Sequence, residues 1–554
     1  GVQTCALPIC TWDELEQQHA ALHPSQPCND LEPAAFPGPW RIRMLIAKLH
    51  RDKVPGPNLV PPALLKAGGS VVAKQLSVMF TKAAAGAQEP LHWKGGILIP
   101  LWKGKLAPHL AEGYRSIFIS NYTTKLYHQC FRAHVVDAWE QTLTHLQCGG
   151  RKGIGADVAH HIVQCHQSWC KQKAVPSAAL FFDLKSAFYM VLRQAFTQIP
   201  SHDDAFMAAM YHVGLTPAEV HKLITNAATD DAVKGLPCHM QHILHDLLHN
   251  TYFTVQGLPD PCQATRGTRP GDPIADVLFN LCMHLILTDF HATMEQSSDV
   301  PWLGQATPVS DLSDIPSIPP TGFIDVTFVD DCVVLIHGRS NDNVAATMKA
   351  VVQAMDKAAA TRGLSINYER GKTEALWTIL GKGARQMKQT LHEAGQILQC
   401  THEGIQYAIP LCHTYKHLGT WLQAHHKHTR EILARSSAAK QQYGQLARSF
   451  FTKKCITLPV KSAIFQSLVL SKMLYNVHTW TSITPKHMHS WINHLKAPTG
   501  TLLKGLLMAP TIFMHTTDEM MACAGILPLM DQVHANRLRF WHDCLAPVPL
   551  SHGR

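Results

Sequence analysis

The sequence predicts an α+β fold, and three observations carry that prediction. Short runs rich in β-branched and aromatic residues mark strands: Ala178–Phe182, Phe323–Val329 and Cys332–Ile336. Longer stretches, such as Trp40–Arg51 and Met348–Arg362, place apolar residues at helical spacing. After Trp421 the pattern becomes helical and basic, with Lys427, Arg430, Arg435, Lys440, Arg448, Lys453 and Lys454.

Taken in order, residues 11–37 are polar and contain proline, which predicts a loosely ordered lead-in. The first nine residues, Gly1–Ile9, look like the translation of a common sequencing adapter and are set aside from fold reasoning. The chain also begins without Met, so an incomplete gene model is expected. Trp40–Arg51 carries Arg and Lys on the face opposite its apolar one, a pattern that suits a solvated helix as well as a polyanion-facing one. Gly96–Trp102 reads as a strand, Lys103-Gly-Lys105 as a basic turn, and Glu112–Ser120 as the returning strand. Residues 200–250 read as helices, and Tyr252–Gln256 begins another strand. Residues 297–320 are rich in Ser, Asp and Pro and read as a flexible insertion. Val277–Leu287 is apolar but interrupted by polar residues, as in a core helix.

The chemistry concentrates at Asp330-Asp331, the two-residue junction between two apolar strands. A hairpin turn ordinarily takes Asn-Gly or Asp-Gly, which tolerate positive φ. Two adjacent carboxylates there repel each other and lose hydration, and a divalent cation would remove that cost. Asp183, at the end of Ala178–Phe182, is the candidate partner. A lone Asp after a strand is usually a turn residue or a helix cap. Three strand-end carboxylates converging on one sheet edge could instead hold two Mg²⁺ ions roughly 4 Å apart, as in-line phosphoryl transfer requires.

Five segments in order decide between these readings. Phe181–Phe188, Arg269-Pro-Gly-Asp-Pro273, Phe328-Val-Asp-Asp331, Gly363–Glu374 and Tyr415-Lys-His-Leu-Gly419 resemble the successive palm motifs of the reverse transcriptase family, in its non-LTR retrotransposon branch. Pro55–Asn58 leading into Val60–Lys66 fits the same order, and Leu474–Trp480 resembles a thumb pattern of that branch. Ala524–Leu529 and Asn536–Trp541 resemble the segment that follows it, although an amphipathic helix bundle explains both nearly as well. The resemblance runs from about Trp40 to the C-terminus.

The resemblance implies a right-hand polymerase fold with fingers, an antiparallel palm sheet and a helical thumb. The implied boundaries are a lead-in at 1–39, fingers at 40–174, palm at 175–424, thumb at 425–500 and a helical segment at 501–554. It implies an RNA-directed DNA polymerase extending a DNA primer on an RNA template with deoxynucleoside triphosphates and two Mg²⁺ ions, or Mn²⁺ in their place. Asp183 and Asp330 would bind the metals, with the Leu184 carbonyl as a further ligand and Asp331 nearby. Lys103, or Lys105 in its place, and Arg115 would neutralise the triphosphate. Phe188 would exclude a ribose 2′-hydroxyl, though a plain core Phe is the competing reading. Gly271 would let the backbone approach the nascent base pair, and Lys372 would protonate the leaving pyrophosphate or orient it. The family usually has Gln where this chain has Pro270, and Ala-Phe-Asp where Tyr189 follows Phe188. The alternative is an inactive or co-opted nucleic-acid-binding remnant of the same fold.

Composition is consistent with this. The chain has 554 residues, 46% of them hydrophobic, enough for several subdomains, and a net charge of +9 that suits a polyanion. Sixteen cysteines follow no zinc-finger spacing. The histidine clusters His160-His161 and His425-His426-His428 lack Cys or carboxylate neighbours at ligand spacing and read as surface residues. No signal peptide or membrane span is evident, so an intracellular protein of nucleus or cytoplasm is expected, without a membrane partner. The family usually carries an endonuclease upstream, for which this chain has no room.

Overall fold

The computed structural model describes residues 10–21, 31–104, 106–110, 113–140, 142–151, 153–191, 193, 217, 236–255, 258, 260–264, 266–304, 318–402, 405–481, 484–508 and 515–545. The adapter-like start, Lys105, most of the helices expected over 200–250 and the middle of the 297–320 insertion lie outside these residues. The strands in chain order are β1 (Gly95–Trp102), β2 (Tyr114–Ser120), β3 (Ser177–Phe182), β4 (Thr251–Val255), β5 (Cys262–Ala264), β6 (Gly322–Phe328), β7 (Asp331–His337), β8 (Glu374–Thr378), β9 (Ile397–His402), β10 (Ile405–Cys412), β11 (Thr414–His417) and β12 (Thr420–Gln423). With the helices between them they make a mixed α and β protein of the expected α+β class.

The chain divides into two compact units, each built from three segments. The first comprises Gly1–Gly150, Leu184–Thr293 and Ala354–Ile366; the second comprises Arg151–Asp183, Met294–Gln353 and Asn367–Arg554.

In the first unit a four-stranded sheet has the order β2-β1-β4-β5. The β1–β2 hairpin is antiparallel as the sequence predicts, with Leu101 opposite Arg115, while β4 joins β1 in parallel. The lead-in departs from expectation, because Trp12–Ala21 is a helix. A capping box starts it: Glu14 N–H donates to Thr11 Oγ1 and Thr11 N–H to Glu14 Oε2. Leu15 is then buried with Cys10, Leu91 and Tyr252. Burial of one leucine, worth about 1.5–3 kcal/mol, holds a ten-residue helix that would be marginal alone.

In the second unit a six-stranded sheet has the order β6-β7-β3-β8-β10-β9. It is antiparallel through β6, β7, β3 and β8, as expected, but β10 runs parallel to β8 and makes the sheet mixed. The physical reason is the connection: helix Ala384–Glu393 and β9 intervene, so the chain returns to β8 by a crossover instead of a hairpin. Its central strand β3 is buried throughout, which explains the unbroken apolar run Ala178–Phe182. The helix expected from Met348 begins earlier, spanning Asn341–Ala360, because Ser340 Oγ accepts the Asn343 N–H at its start. After β12 the unit is helical, around a core that includes Phe451, Phe465, Trp480, Ile492 and Leu503.

The histidine clusters are not on the surface. His160, His426 and His428 are buried. His428 stacks on Trp480 at 4.8 Å, and His426 Nε2 bonds the Thr481 carbonyl at 2.8 Å. A neutral imidazole behaves here as an aromatic ring with one polar edge, so it packs among tryptophans. One helix among the described residues, Ala275–Ser297, is long and apolar enough by length and composition to cross a membrane; 67% of its apolar window is buried within the protein.

Candidate active site

Asp183 stands immediately beyond β3. Register pairs Phe182 with Cys332, so the next step along the two strands sets Asp183 opposite Asp331. The hairpin itself is shifted from the expectation. Phe328 pairs with Asp331, so Asp331 is the first residue of β7 and the turn is Val329-Asp330, not Asp330-Asp331. The shift follows from period-two pairing: Asp331 joins the ladder and only two residues are left to close it. Val329 takes a φ of 61° at the first turn position, where glycine is the usual residue. A β-branched residue held in the left-handed region costs on the order of 1–2 kcal/mol, a strain that clusters at functional sites.

The carboxylates act on one another. The strands beneath Asp331 desolvate its carboxyl, and the like charges of Asp330 and Asp183 add to this. Together they push its pKa up to about 6, although Lys372 pulls the other way and the residue keeps solvent access. Lys372 Nζ lies 3.2 Å from Asp183 Oδ1. The loop that carries Lys372 is tied down at several points. Asn367 N–H donates to the Asp183 carbonyl at 2.8 Å, Thr373 N–H to the Asn367 carbonyl at 3.0 Å, and Asp183 N–H to Thr373 Oγ1 at 3.0 Å. Tyr415 stacks on Phe181 at 3.9 Å and donates its hydroxyl to the Lys372 carbonyl at 2.8 Å. The second unit therefore brings together Asp183, Asp330, Asp331 and Lys372, with Tyr415 as their support. The Leu418-Gly419 turn of the β11–β12 hairpin is held by Arg435, which donates to the Gly419 carbonyl, and by Tyr475, which donates to the Leu418 carbonyl.

This donor set fits a hard divalent cation. Its atoms are carboxylate oxygens, the donors such an ion takes, and Asp330 and Asp183 add like charge to the burial that raises the Asp331 pKa. Among the described residues no group of three or more His, Cys, Asp or Glu side chains is placed closely enough to hold a metal ion by itself. The Lys372 ammonium, beside Asp183, supplies the positive charge instead.

The remaining candidates lie in the first unit. Leu184 is bridged to Ile366. Phe188 is half-buried, its ring 4.7 Å from that of Phe279, and its carbonyl accepts the Thr268 N–H at 2.8 Å. Tyr189, next in sequence, donates its hydroxyl to the Ser116 carbonyl of β2 at 2.8 Å. Arg115 on the same strand is exposed and lies near enough to oppose the burial that raises the Tyr189 pKa. Gly271 has a φ of 99°, and a Cβ there would come within 2.9 Å of the Phe118 carbonyl, so only glycine fits. Tyr189 and Gly271 thus both meet β2, the strand that carries Arg115. Lys103 is exposed just beyond β1, its N–H donating to the Gly113 carbonyl at 2.7 Å.

Sequence reasoning missed Arg193. It is buried and donates to the carbonyls of Gly267, Leu248, Ala264 and Arg266, tying the end of helix Cys238–Leu248 and β5 to the turn that precedes Gly271. Its neighbours in sequence give no periodic signal, because its partners are brought to it by the sheet. No protein-family model matches the sequence, and no curated protein matches it.

Proposed function

We propose that this protein is the RNA-directed DNA polymerase of a non-LTR retroelement, built on a right-hand polymerase fold. The observation that carries the reading is the placement of Asp183, one step beyond the Phe182–Cys332 pair, near Asp331 at neighbouring strand ends, with Asp330 in the adjoining strained turn. In this reading the β6–β7 hairpin and β3 belong to the palm, the β1–β2 hairpin to the fingers and the basic helices after β12 to the thumb. Bound Mg²⁺ would lower the pKa of the primer 3′-hydroxyl and neutralise the triphosphate and departing pyrophosphate. Asp183, Asp330 and Asp331, with the Leu184 carbonyl, are the residues that would hold it.

The protein's own groups have separate tasks. Lys372, ion-paired with Asp183, is the group that would donate a proton to the leaving phosphates or fix an oxygen of theirs. Lys372→Ala is expected to slow single-turnover nucleotide addition by roughly 10²-fold. An unchanged chemical step in a rapid-quench measurement would remove Lys372 from the reaction. Arg115 and Lys103 supply positive charge for the triphosphate, as planar and point-charge donors respectively suited to phosphate oxygens.

Phe188 presents a flat ring braced by Phe279. Phe188→Val would open room for a 2′-hydroxyl and is expected to raise ribonucleotide incorporation by roughly tenfold or more. If the ratio of ribonucleotide to deoxynucleotide kcat/KM stayed the same, Phe188 would be a core residue only.

The reading as a whole is tested by Mg²⁺-dependent primer extension on an RNA template by the purified chain. A folded protein that bound template–primer but added no nucleotide would favour the binding-only remnant, a reading to which Pro270 in the second motif lends some weight.

A further inference from the structure

Six charged side chains lie buried beneath the Arg269–Gly271 turn, and none has a role in the chemistry described so far. His128 is fully buried between two carboxylates: Nδ1 is 2.6 Å from Asp272 Oδ2 and Nε2 is 2.5 Å from Glu89 Oε1. Lys94 lies 2.6 Å from Asp246 Oδ2 and 3.9 Å from Glu89 Oε2, and the Glu89 N–H donates to Asp246. Arg269 lies 3.4 Å from Asp272 and donates to the Trp93 and Lys94 carbonyls. The network holds three acidic and three basic side chains, and with His128 protonated its charges balance. Burial opposes the charge on His128, but Asp272 and Glu89 outweigh it and raise its pKa to about 9. Burial likewise opposes ionisation of Asp272, but His128 and Arg269 lower its pKa to about 2.

Such a network is an expensive way to fill a core, since apolar side chains of the same volume are often at least as stabilising. What it does supply is geometry. Every member is fixed by a directional bond, and the chain of bonds ends at a strained turn. Arg269 takes a φ of 55° and Gly271 one of 99°, while Asp272 N–H closes the turn on the Arg269 carbonyl at 3.0 Å. The buried ends of this turn, Arg269 and Asp272, flank an exposed tip at Gly271.

We propose that the Glu89–His128–Asp272 relay, together with Arg269, is a positioning device that locks the strained Arg269–Gly271 turn so that its exposed backbone meets the incoming nucleotide in one geometry. The nucleotide part of this rests on the polymerase reading; the locking of the turn does not. His128 touches no substrate and acts through Asp272.

The test uses the whole chain with His128→Gln, and with Glu89→Gln as the milder variant that keeps an acceptor for Nε2. The first readout is amide hydrogen exchange, which needs no activity. His128→Gln is expected to speed exchange at Asp272 N–H at least tenfold while leaving the β3, β7 and β8 amides unchanged. Equal exchange in variant and parent would overturn the proposal. So would loss of the folded unit in both variants, which would make the network plain core. The second readout is steady-state kinetics. The KM for the deoxynucleotide should rise about tenfold with kcat and template–primer binding little changed. A looser turn with unchanged KM would overturn its link to the nucleotide. A looser turn in a chain whose parent adds no nucleotide would sink the polymerase reading and leave the locking intact.

Discussion

Replacing Asp330 and Asp331 together by alanine is expected to abolish primer extension, a loss of at least roughly 10³-fold, while binding of template–primer persists. The two outcomes separate because the carboxylates and the basic surface do different work. Affinity for a nucleic acid comes from phosphate neutralisation by Lys and Arg, and the segment after β12 keeps Arg430, Lys440 and Arg448 on helices and Lys453 and Lys454 in the turn that follows them in the double variant. Removing two negative charges can only strengthen such binding. The same variant should also be no less stable than the parent. Asp331 carries a pKa raised to about 6, so near neutrality its ionised form works against the folded state. A shift of that size is nominally ~3 kcal/mol, but the carboxyl is solvent-accessible and the screened effect is nearer ~1 kcal/mol. A variant that neither extends a primer nor melts lower than the parent would meet both expectations. Extension by the variant at the parental rate would disconnect this sheet edge from catalysis.

Acidification is expected to unfold the second unit well before carboxylate protonation alone would do so. His160, His417, His426 and His428 are buried there, and burial lowers the pKa of each, to about 4 for His417 and His426. The unfolded chain binds protons at the ordinary histidine pKa near 6.5. Stability is therefore complete above about pH 6.5 and falls as pH drops from there towards 4. At pH 5, His417 and His426 would each cost about 2 kcal/mol, a large part of the stability of an ordinary domain. His128 in the first unit has the opposite sign. Its pKa is raised, so its contribution is whole below about 6.5 and is lost as pH rises through about 9. Near-ultraviolet circular dichroism, followed from pH 8 down to pH 4, reads the acid limb. A flat melting temperature across that range would contradict the assignment of these rings as buried and neutral.

Much of the candidate site's geometry was legible because it follows from strand ends. An Asp after an all-apolar run and two more between two such runs can meet only if those strands pair, and β3 and β7 do. The one-residue shift of the hairpin was not legible, because register is decided across the sheet and not within the turn. The helix at Trp12–Ala21 was legible in Thr11-x-x-Glu14, but the polar composition around it concealed the single leucine that anchors it. Nothing in the sequence marks the buried histidines, since an imidazole suits a wet surface and a tryptophan stack equally well. Nor is the relay beneath Gly271 visible in one dimension. His128 and Asp272 are separated by 144 positions, and only the fold makes them neighbours.

The backbone passes between the two compact units five times, once at Asp183–Leu184 within the first palm-like motif. No single break in the polypeptide can therefore release either unit intact from the remainder. A break between Gly95 and Cys412 leaves strands without their neighbours, and unpaired edges of that kind aggregate or draw proteolysis.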